Sequence, residues 1–257
     1  MRQPRERRDD QPAFVLHTYP YKETSAIVEA FSVAFGRVAM VARGARRARS
    51  ELRGILQAFQ PLTLSWAGAG ELKTLIKAEW RGGLPLVTGP ALLCGFYLNE
   101  LLLKLLPRED PHSRLFDAYE SALSRLANGA DQAPVLRQFE LKLLAELGYA
   151  LPLTHDADTG RPVDPAERYY YAFERGPRTT VAEPGRRYPQ VRGATLLALA
   201  QQDYSAPEAA AEAKRLMREV LDYYLEQRTL VSRRVVRDLQ VLEGGESGER
   251  AGNTDHD

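Results

Sequence analysis

Arginine is concentrated in one short stretch of this chain, and its chemistry there is that of anion binding. Between Gly36 and Gly54 there are six arginines and one acidic residue, a local net charge of +5 in a chain whose total is +1. A guanidinium donates hydrogen bonds in a planar fork that matches phosphate oxygens, and it stacks on nucleobases. The stretch therefore predicts a polyanion partner; the alternative is a solvated loop. The six are Arg37, Arg43, Arg46, Arg47, Arg49 and Arg53.

Two lysines extend this basic character onto a predicted strand. Residues 72–80 alternate, so Lys73 and Lys77 are expected on one face together with Leu75. Such an arrangement predicts a basic stripe across a sheet. Single-stranded nucleic acid is usually held by a basic stripe together with aromatic side chains on which bases stack.

Three aromatic residues near the basic stretch are candidates for stacking or for the core. They are Tyr19, Tyr21 and Trp66. Because the alternation places Trp66 on the face of Leu62 and Leu64, a core position is favoured for it.

Residue types that carry catalysis or bind metals are sparse. None of the four histidines forms an H-x-x-x-H pair, and the chain has no P-loop, G-x-S-x-G or G-x-G-x-x-G motif. Cys94 is the only cysteine, which excludes an intrachain disulfide and a multi-cysteine zinc site. His155, Asp156 and Asp158 could ligate a metal ion, but a polar turn is the favoured interpretation.

We therefore expect no enzyme activity, no cofactor and no bound metal. A nuclease would need clustered carboxylates beside the basic stretch, whereas the acids there are scattered along the chain. These acids are Glu23, Glu29, Glu51, Glu71 and Glu79.

The elements that must position the basic residues have a β pattern. Short apolar or alternating runs predict five strands, typical of a small barrel or sandwich. The predicted strands are Ala13–Tyr19, Ala26–Ala34, Arg37–Ala42, Leu62–Trp66 and Leu72–Trp80. Charge predicts a disordered arm at residues 1–12 and a disordered acidic tail at 243–257, which has a net charge of −4 (one basic residue and five acids).

Helical periodicity takes over after a Gly- and Pro-rich connector at residues 81–90. Residues 149–192, with six prolines, interrupt it and predict a long loop or a small β-hairpin insert. Helices are predicted at about Pro90–Leu106, Asp110–Leu126, Ala133–Leu147, Ala194–Gln201, Pro207–Gln227 and Ser232–Leu239.

The sequence predicts a cytoplasmic, nucleoid-associated protein with no membrane partner. Residues 1–12 have no apolar core and so do not resemble a secretory signal. The most apolar run, Ala91–Leu106, is too short to span a bilayer and contains charged residues.

An ordered set of segments resembles the RecO family of bacterial DNA repair proteins. The resemblance runs from about Ala13 to Leu239. It includes AFVLHTYPYKETSAIVEAFS, GRVAMVARGARRARSELRGILQAF, ELKTLIKAE, YLNELLLKLLPRED and LRQFELKLLAELGY. It implies an α+β, multidomain chain, with a five-stranded OB-fold β-barrel at residues 13–82 and an all-α helical domain at 83–242. It also implies a protein that is not an enzyme.

The resemblance further implies a recombination mediator that binds single- and double-stranded DNA and anneals complementary strands. Such proteins help to load RecA onto strands coated by single-stranded-DNA-binding protein, with RecR and often RecF as partners. The alternative is a protein-interaction scaffold that contacts DNA only through its partners.

Site residues carried over from the resemblance fall into two groups. Arg137, in LRQFE, is expected to receive the acidic C-terminal tail of single-stranded-DNA-binding protein, or else to form a surface salt bridge with Glu140. The expected DNA-binding residues are Lys22, Arg37, Arg43, Arg46, Arg47, Arg49, Arg53, Lys73 and Lys77.

One departure from the family pattern concerns metal binding. Many relatives carry a four-cysteine zinc module after the LGY segment, whereas this chain has LPLTHDADTGRPVDP there. The chain resembles the zinc-free proteobacterial members instead, and the fold of residues 149–192 is left open.

Overall fold

The computed structural model describes residues 6–180, 187–225, 230–233 and 235. Its N-terminal part is a closed barrel in which the strand order is β1-β2-β3-β5-β4 and β1 pairs with β4. All pairs are antiparallel except β3–β5, which is parallel. This is the OB-fold that the resemblance implied. Its elements are β1 (Arg7–Tyr21), β2 (Ser25–Ser32), β3 (Gly36–Ala42), α1 (Leu52–Ile55), β4 (Pro61–Ala67) and β5 (Leu72–Trp80).

The barrel interior is small and apolar, as alternating strands require. Trp66 is 2% exposed and packs inside the barrel, so its predicted core position is confirmed. Its neighbours there include Val15, Val28, Met40, Leu62 and Leu64.

The first strand begins earlier than the sequence predicted. Residues 7–12 pair with β4, with Arg7 opposite Ala67 and Pro12 opposite Thr63. The prediction of a disordered arm is therefore wrong for these six residues. Backbone hydrogen bonds to β4 close the barrel here, so charged side chains do not prevent strand formation. Residues 1–5 lie outside the described residues.

The C-terminal part is helical. Pro90 begins α2, where its missing N–H costs nothing, and the carboxylate of Asp131 caps α4 by accepting from Ala133 N at 3.2 Å. None of the helices in the described ranges is long and apolar enough to cross a membrane. The helices are α2 (Pro90–Leu105), α3 (Ser113–Ala127), α4 (Gln132–Glu146), α5 (Gly193–Gln201) and α6 (Pro207–Tyr224).

A small sheet lies between α4 and α5, where the sequence predicted a loop or hairpin. Strands β6 (Arg168–Ala172) and β7 (Gly176–Arg178) form a hairpin, and β8 (Gln190–Arg192) pairs with the other edge of β6. Most of the predicted last helix, Ser232–Leu239, and all of the acidic tail, 243–257, lie outside the described residues.

The barrel packs closely against the helical domain. Phe14 and Phe31 point out of the barrel and belong to the core of the helical domain. Their ring centroids lie 5.3 and 5.4 Å from that of Phe116 of α3. Gly36 has φ +64°, and a Cβ there would collide with the backbone carbonyl of Asp110. Only glycine therefore permits the approach of β3 to the segment after α2.

Candidate nucleic-acid interface

The loop between β3 and α1 is held in place by its own backbone. Gly44 has φ +70°, which allows the chain to turn, and Ala45 is buried against the barrel core. Arg46 N donates to Thr24 O at 2.9 Å, and Arg46 Nη1 donates to Lys22 O at 3.2 Å. The loop is thus fixed against the β1–β2 turn.

This arrangement brings together six exposed basic residues, which we call the basic rim. Arg46 uses part of its guanidinium on backbone carbonyls, which leaves its charge uncompensated. Within the described residues, none of the six forms an ion pair with an acidic side chain. The basic rim consists of Lys22, Arg43, Arg46, Arg47, Arg49 and Arg53.

Arg37 does not belong to the basic rim, and its contact with DNA stays a prediction that its position does not support. Its side chain is 16% exposed; Nε donates to Leu106 O at 2.9 Å, and Nη1 lies 3.3 Å from Glu29 Oε2. Burial lowers the pKa of Arg37, an effect that Glu29 opposes. The Glu29 carboxylate also contacts Arg108. Arg37 therefore joins the barrel to the helical domain.

Lys73 and Lys77 do not form a stripe on one face, so that prediction is wrong. In β5, Leu75 pairs with Trp66 and Lys77 with Ser65, which leaves Ile76 as an extra residue, a β-bulge. The bulge inverts the alternation along the strand.

The two lysines consequently differ in environment. Lys73 is 7% exposed, and its Nζ lies 2.7 Å from Glu109 Oε1, across the boundary between the domains. Lys77 is exposed, and a hydrogen bond to Glu79, with Nζ and Oε2 2.8 Å apart, raises its pKa. The Lys73 ammonium is paired and largely buried, and the charge of Lys77 is partly compensated, so contact of either lysine with DNA stays a prediction.

Two aromatic side chains of the barrel strands, Tyr19 and Trp80, are exposed. Tyr19 is 44% exposed, and its ring centroid lies 4.4 Å from that of His17. Trp80, at the end of β5, is 64% exposed. Trp80 is not among the functional residues predicted from the sequence, because an alternating pattern does not show that the last residue of a strand is exposed.

Arg137 lies inside the helical domain. It is 8% exposed; Nη2 contacts the carboxylate of Glu140, and Nη1 donates to Lys214 O at 3.4 Å. Burial raises the pKa of Glu140, against the opposing effect of Arg137. The Lys214 carbonyl and the Glu140 carboxylate already occupy the two terminal nitrogens of Arg137. The structure does not support the predicted role of Arg137 as receptor of an acidic tail. Arg137 does form the alternative, a salt bridge with Glu140, but this pair is buried and does not lie on the surface.

The segment around His155 is a polar turn, the interpretation that the sequence favoured. Asp156 Oδ1 accepts from Asp158 N at 2.9 Å and from Thr159 N at 2.8 Å, and Oδ2 accepts from Thr179 N at 3.1 Å. Among the residues described, no three side chains group as metal ligands would. The Asp156 carboxylate thus connects separate segments of the insert between α4 and α5.

Comparison with known proteins identifies the family. Residues 8–83 match the family model "Recombination protein O N terminal", and residues 88–234 match "Recombination protein O C terminal". The chain belongs to the RecO family. The two matches divide at the connector between β5 and α2.

Similar proteins include several named "DNA repair protein RecO". That of Aromatoleum aromaticum is 54% identical over 238 residues, covering 93% of this chain and 99% of that protein. That of Nitrosospira multiformis is 51% identical over 241 residues, covering 93% and 98%. Membership of the RecO family supports a role in DNA repair and recombination.

In this RecO-family chain, the basic rim can bind phosphates. Arginine side chains on a fixed loop can bind phosphate oxygens whatever the base sequence. They contact the backbone of a nucleic acid and not the edges of its bases. No side chain within the rim is placed to act as a nucleophile or general base.

Proposed function

We propose that this chain binds the phosphates of single- and double-stranded DNA through its basic rim and anneals complementary strands. The observation that carries the proposal is a set of six exposed cations at one end of an OB-fold, none of which forms an ion pair with a described acidic residue. A charge cluster of this kind is typical of nucleic-acid binding without sequence preference.

Annealing requires no covalent step, so the proposal includes no enzyme activity. Two strands repel each other through their phosphates, and a cationic surface that neutralises both allows their bases to pair. The rim supplies that charge on a fixed loop.

We further propose that the protein acts as a recombination mediator. Together with RecR, and with RecF in some settings, it would help to load RecA onto strands coated by single-stranded-DNA-binding protein. The family resemblance supports this part. Because Arg137 is buried, the proposal assigns the docking of the acidic tail to no particular residue.

The test is a titration of the purified chain with a labelled single-stranded oligonucleotide at several salt concentrations. The logarithm of the affinity should fall linearly with the logarithm of the salt concentration, by about 0.7 per phosphate neutralised. A flat dependence would overturn phosphate binding. A chain that binds DNA only when RecR is added would be a scaffold instead.

A further inference from the structure

A groove of about 520 Å³ lies beside the basic rim, between α1 and α2. Gly54 and Ile55 of α1 form one wall, and Leu92 and Phe96 of α2 form the other. Trp80 forms its edge. Its volume is in the range of cavities that bind small organic groups. None of the described residues that line it is charged.

The aromatic groups of the groove are held in fixed positions. The indole N–H of Trp80 donates to Gln60 Oε1 at 3.2 Å, and Gln60 is itself buried. Phe59 packs edge-on against Phe96, with ring centroids 5.0 Å apart. Gly95 makes this possible, because a Cβ there would lie only 3.0 Å from the Phe59 ring. An incoming flat group would meet a surface that needs little rearrangement.

Several large apolar side chains that line the groove are exposed. Leu86 is 68% exposed, Trp80 64% and Phe96 43%, all lining one depression. Exposed apolar side chains gathered in one depression are typical of binding grooves.

The charges beside the groove indicate what binds there. Arg53 directly precedes Gly54, and Arg81 directly follows Trp80. Both arginines are exposed and, within the described part of the chain, neither forms an ion pair. A ligand that is flat and apolar but carries negative charge fits an apolar groove bordered by cations. A nucleotide of an unpaired strand has both properties.

We propose that this groove binds bases of single-stranded DNA, with Trp80 as the stacking surface and Arg53 on an adjacent phosphate. The proposal rests on the proposed function, since Arg53 also belongs to the basic rim. A strand that follows the rim arginines reaches the groove at Arg53, where the arginine-rich segment passes into its wall. Bases within a duplex are already stacked on one another, so the groove distinguishes single strands from duplexes.

Intrinsic fluorescence tests the proposal directly. The chain has two tryptophans; Trp66 is inside the barrel, so quenching by added DNA reports on Trp80. Titration of the full chain with an oligothymidine strand should quench the fluorescence, and a duplex of equal length should not.

A substitution provides the second readout. Trp80→Ala should weaken single-strand binding about tenfold, within the range found for base–aromatic stacking, and should leave duplex binding unchanged. The salt dependence should also stay unchanged, because no charge is removed. The matched control is Ile76→Ala on the same strand, which removes apolar surface that is 48% exposed but does not line the groove.

Three outcomes would overturn the groove as a base-binding site. The first is an oligothymidine that binds by anisotropy without quenching Trp80. The second is a Trp80→Ala variant with equal losses for single strand and duplex. The third is a Trp80→Ala variant that keeps its DNA affinity but no longer binds RecR, which would make the groove a protein interface. Failure of the unaltered chain to bind any DNA would instead refute the proposed function.

Discussion

The guanidinium of Arg37 lies 3.3 Å from the carboxylate of Glu29, which is buried, whereas the Arg37 side chain is half-buried. Arg108 contacts the other carboxylate oxygen, so one buried acid serves two cations from different parts of the chain. Removing one member of a buried ion pair costs more than the pair contributes, because the remaining charge stays desolvated.

Glu29→Ala should therefore lower the free energy of unfolding by about 3 kcal/mol. Chemical denaturation at neutral pH measures this. The matched control, Glu71→Ala, removes an exposed acid without an ion pair among the described residues and should change stability by less than about 0.5 kcal/mol. Equal effects of the two substitutions would contradict a structural role for Glu29.

The double substitution Arg47→Ala/Arg49→Ala should weaken DNA binding without unfolding the chain. Both side chains are exposed, so the barrel loses no packing. The salt slope for single strands should fall by about 0.7 for each phosphate that the variant no longer neutralises. Binding isotherms at several salt concentrations give the slope.

A matched pair of substitutions controls for the change in net charge. Arg161→Ala/Arg175→Ala removes two exposed arginines from the insert between α4 and α5. This variant should retain the salt slope of the unaltered chain. A loss as large as that of the rim variant would show that total charge, and not the rim, governs binding.

Asp156 should make the insert sensitive to acid. Burial alone would raise the pKa of its carboxyl, but hydrogen bonds from Thr159, Asp158 and Thr179 lower it below its ordinary value. The stabilisation is therefore present above the ordinary aspartate pKa of about 3.9 and is lost as the pH falls through the lower folded value.

The substitution that tests this is Asp156→Ala. At neutral pH it should lower the free energy of unfolding by about 2 kcal/mol, because several donors lose a charged acceptor. The difference from the unaltered chain should shrink below about pH 3. Urea unfolding at both pH values measures it, and a difference independent of pH would refute this role.

Arg137→Met should destabilise the helical domain by about 3 kcal/mol, because the Glu140 carboxylate is fully buried. The double variant Arg137→Met/Glu140→Leu should recover most of that loss, since it removes both charges. Thermal unfolding measures both. If the folded double variant no longer bound the tail peptide of single-stranded-DNA-binding protein, Arg137 would be a tail receptor after all.

The barrel could be predicted in part because residues 62–66 of β4 alternate between apolar and polar side chains. Leu62, Leu64 and Trp66 follow this pattern, and all three lie inside. The exposed arginines between β3 and α1 were also predictable, since a loop so rich in cations and with one acid cannot be buried. Barrel closure by residues 7–12 was not, because backbone pairing leaves no mark on side-chain type.

The remaining differences between the sequence prediction and the structure have two physical causes. The bulge at Ile76 adds one residue without a glycine or proline to signal it, and so it reverses the directions of Lys73 and Lys77 relative to one another. Arg37 lies in the same arginine-rich stretch as the rim residues, but its Nε donates to the carbonyl of Leu106, which is 69 residues away in sequence. Contacts at that distance cannot be deduced from local periodicity.

The approach of β3 to the segment after α2 has a consequence for how a bound strand is presented. Gly36 contacts Asp110, Lys73 pairs with Glu109, and Glu109 N donates to Arg37 O at 2.9 Å, so several contacts anchor the two modules at one point. The barrel and the helical domain should then move as one rigid body, so that DNA bound to the rim keeps a constant orientation relative to the helical surface. Small-angle neutron scattering, in a buffer that matches the contrast of DNA, should give the same protein profile with and without bound DNA.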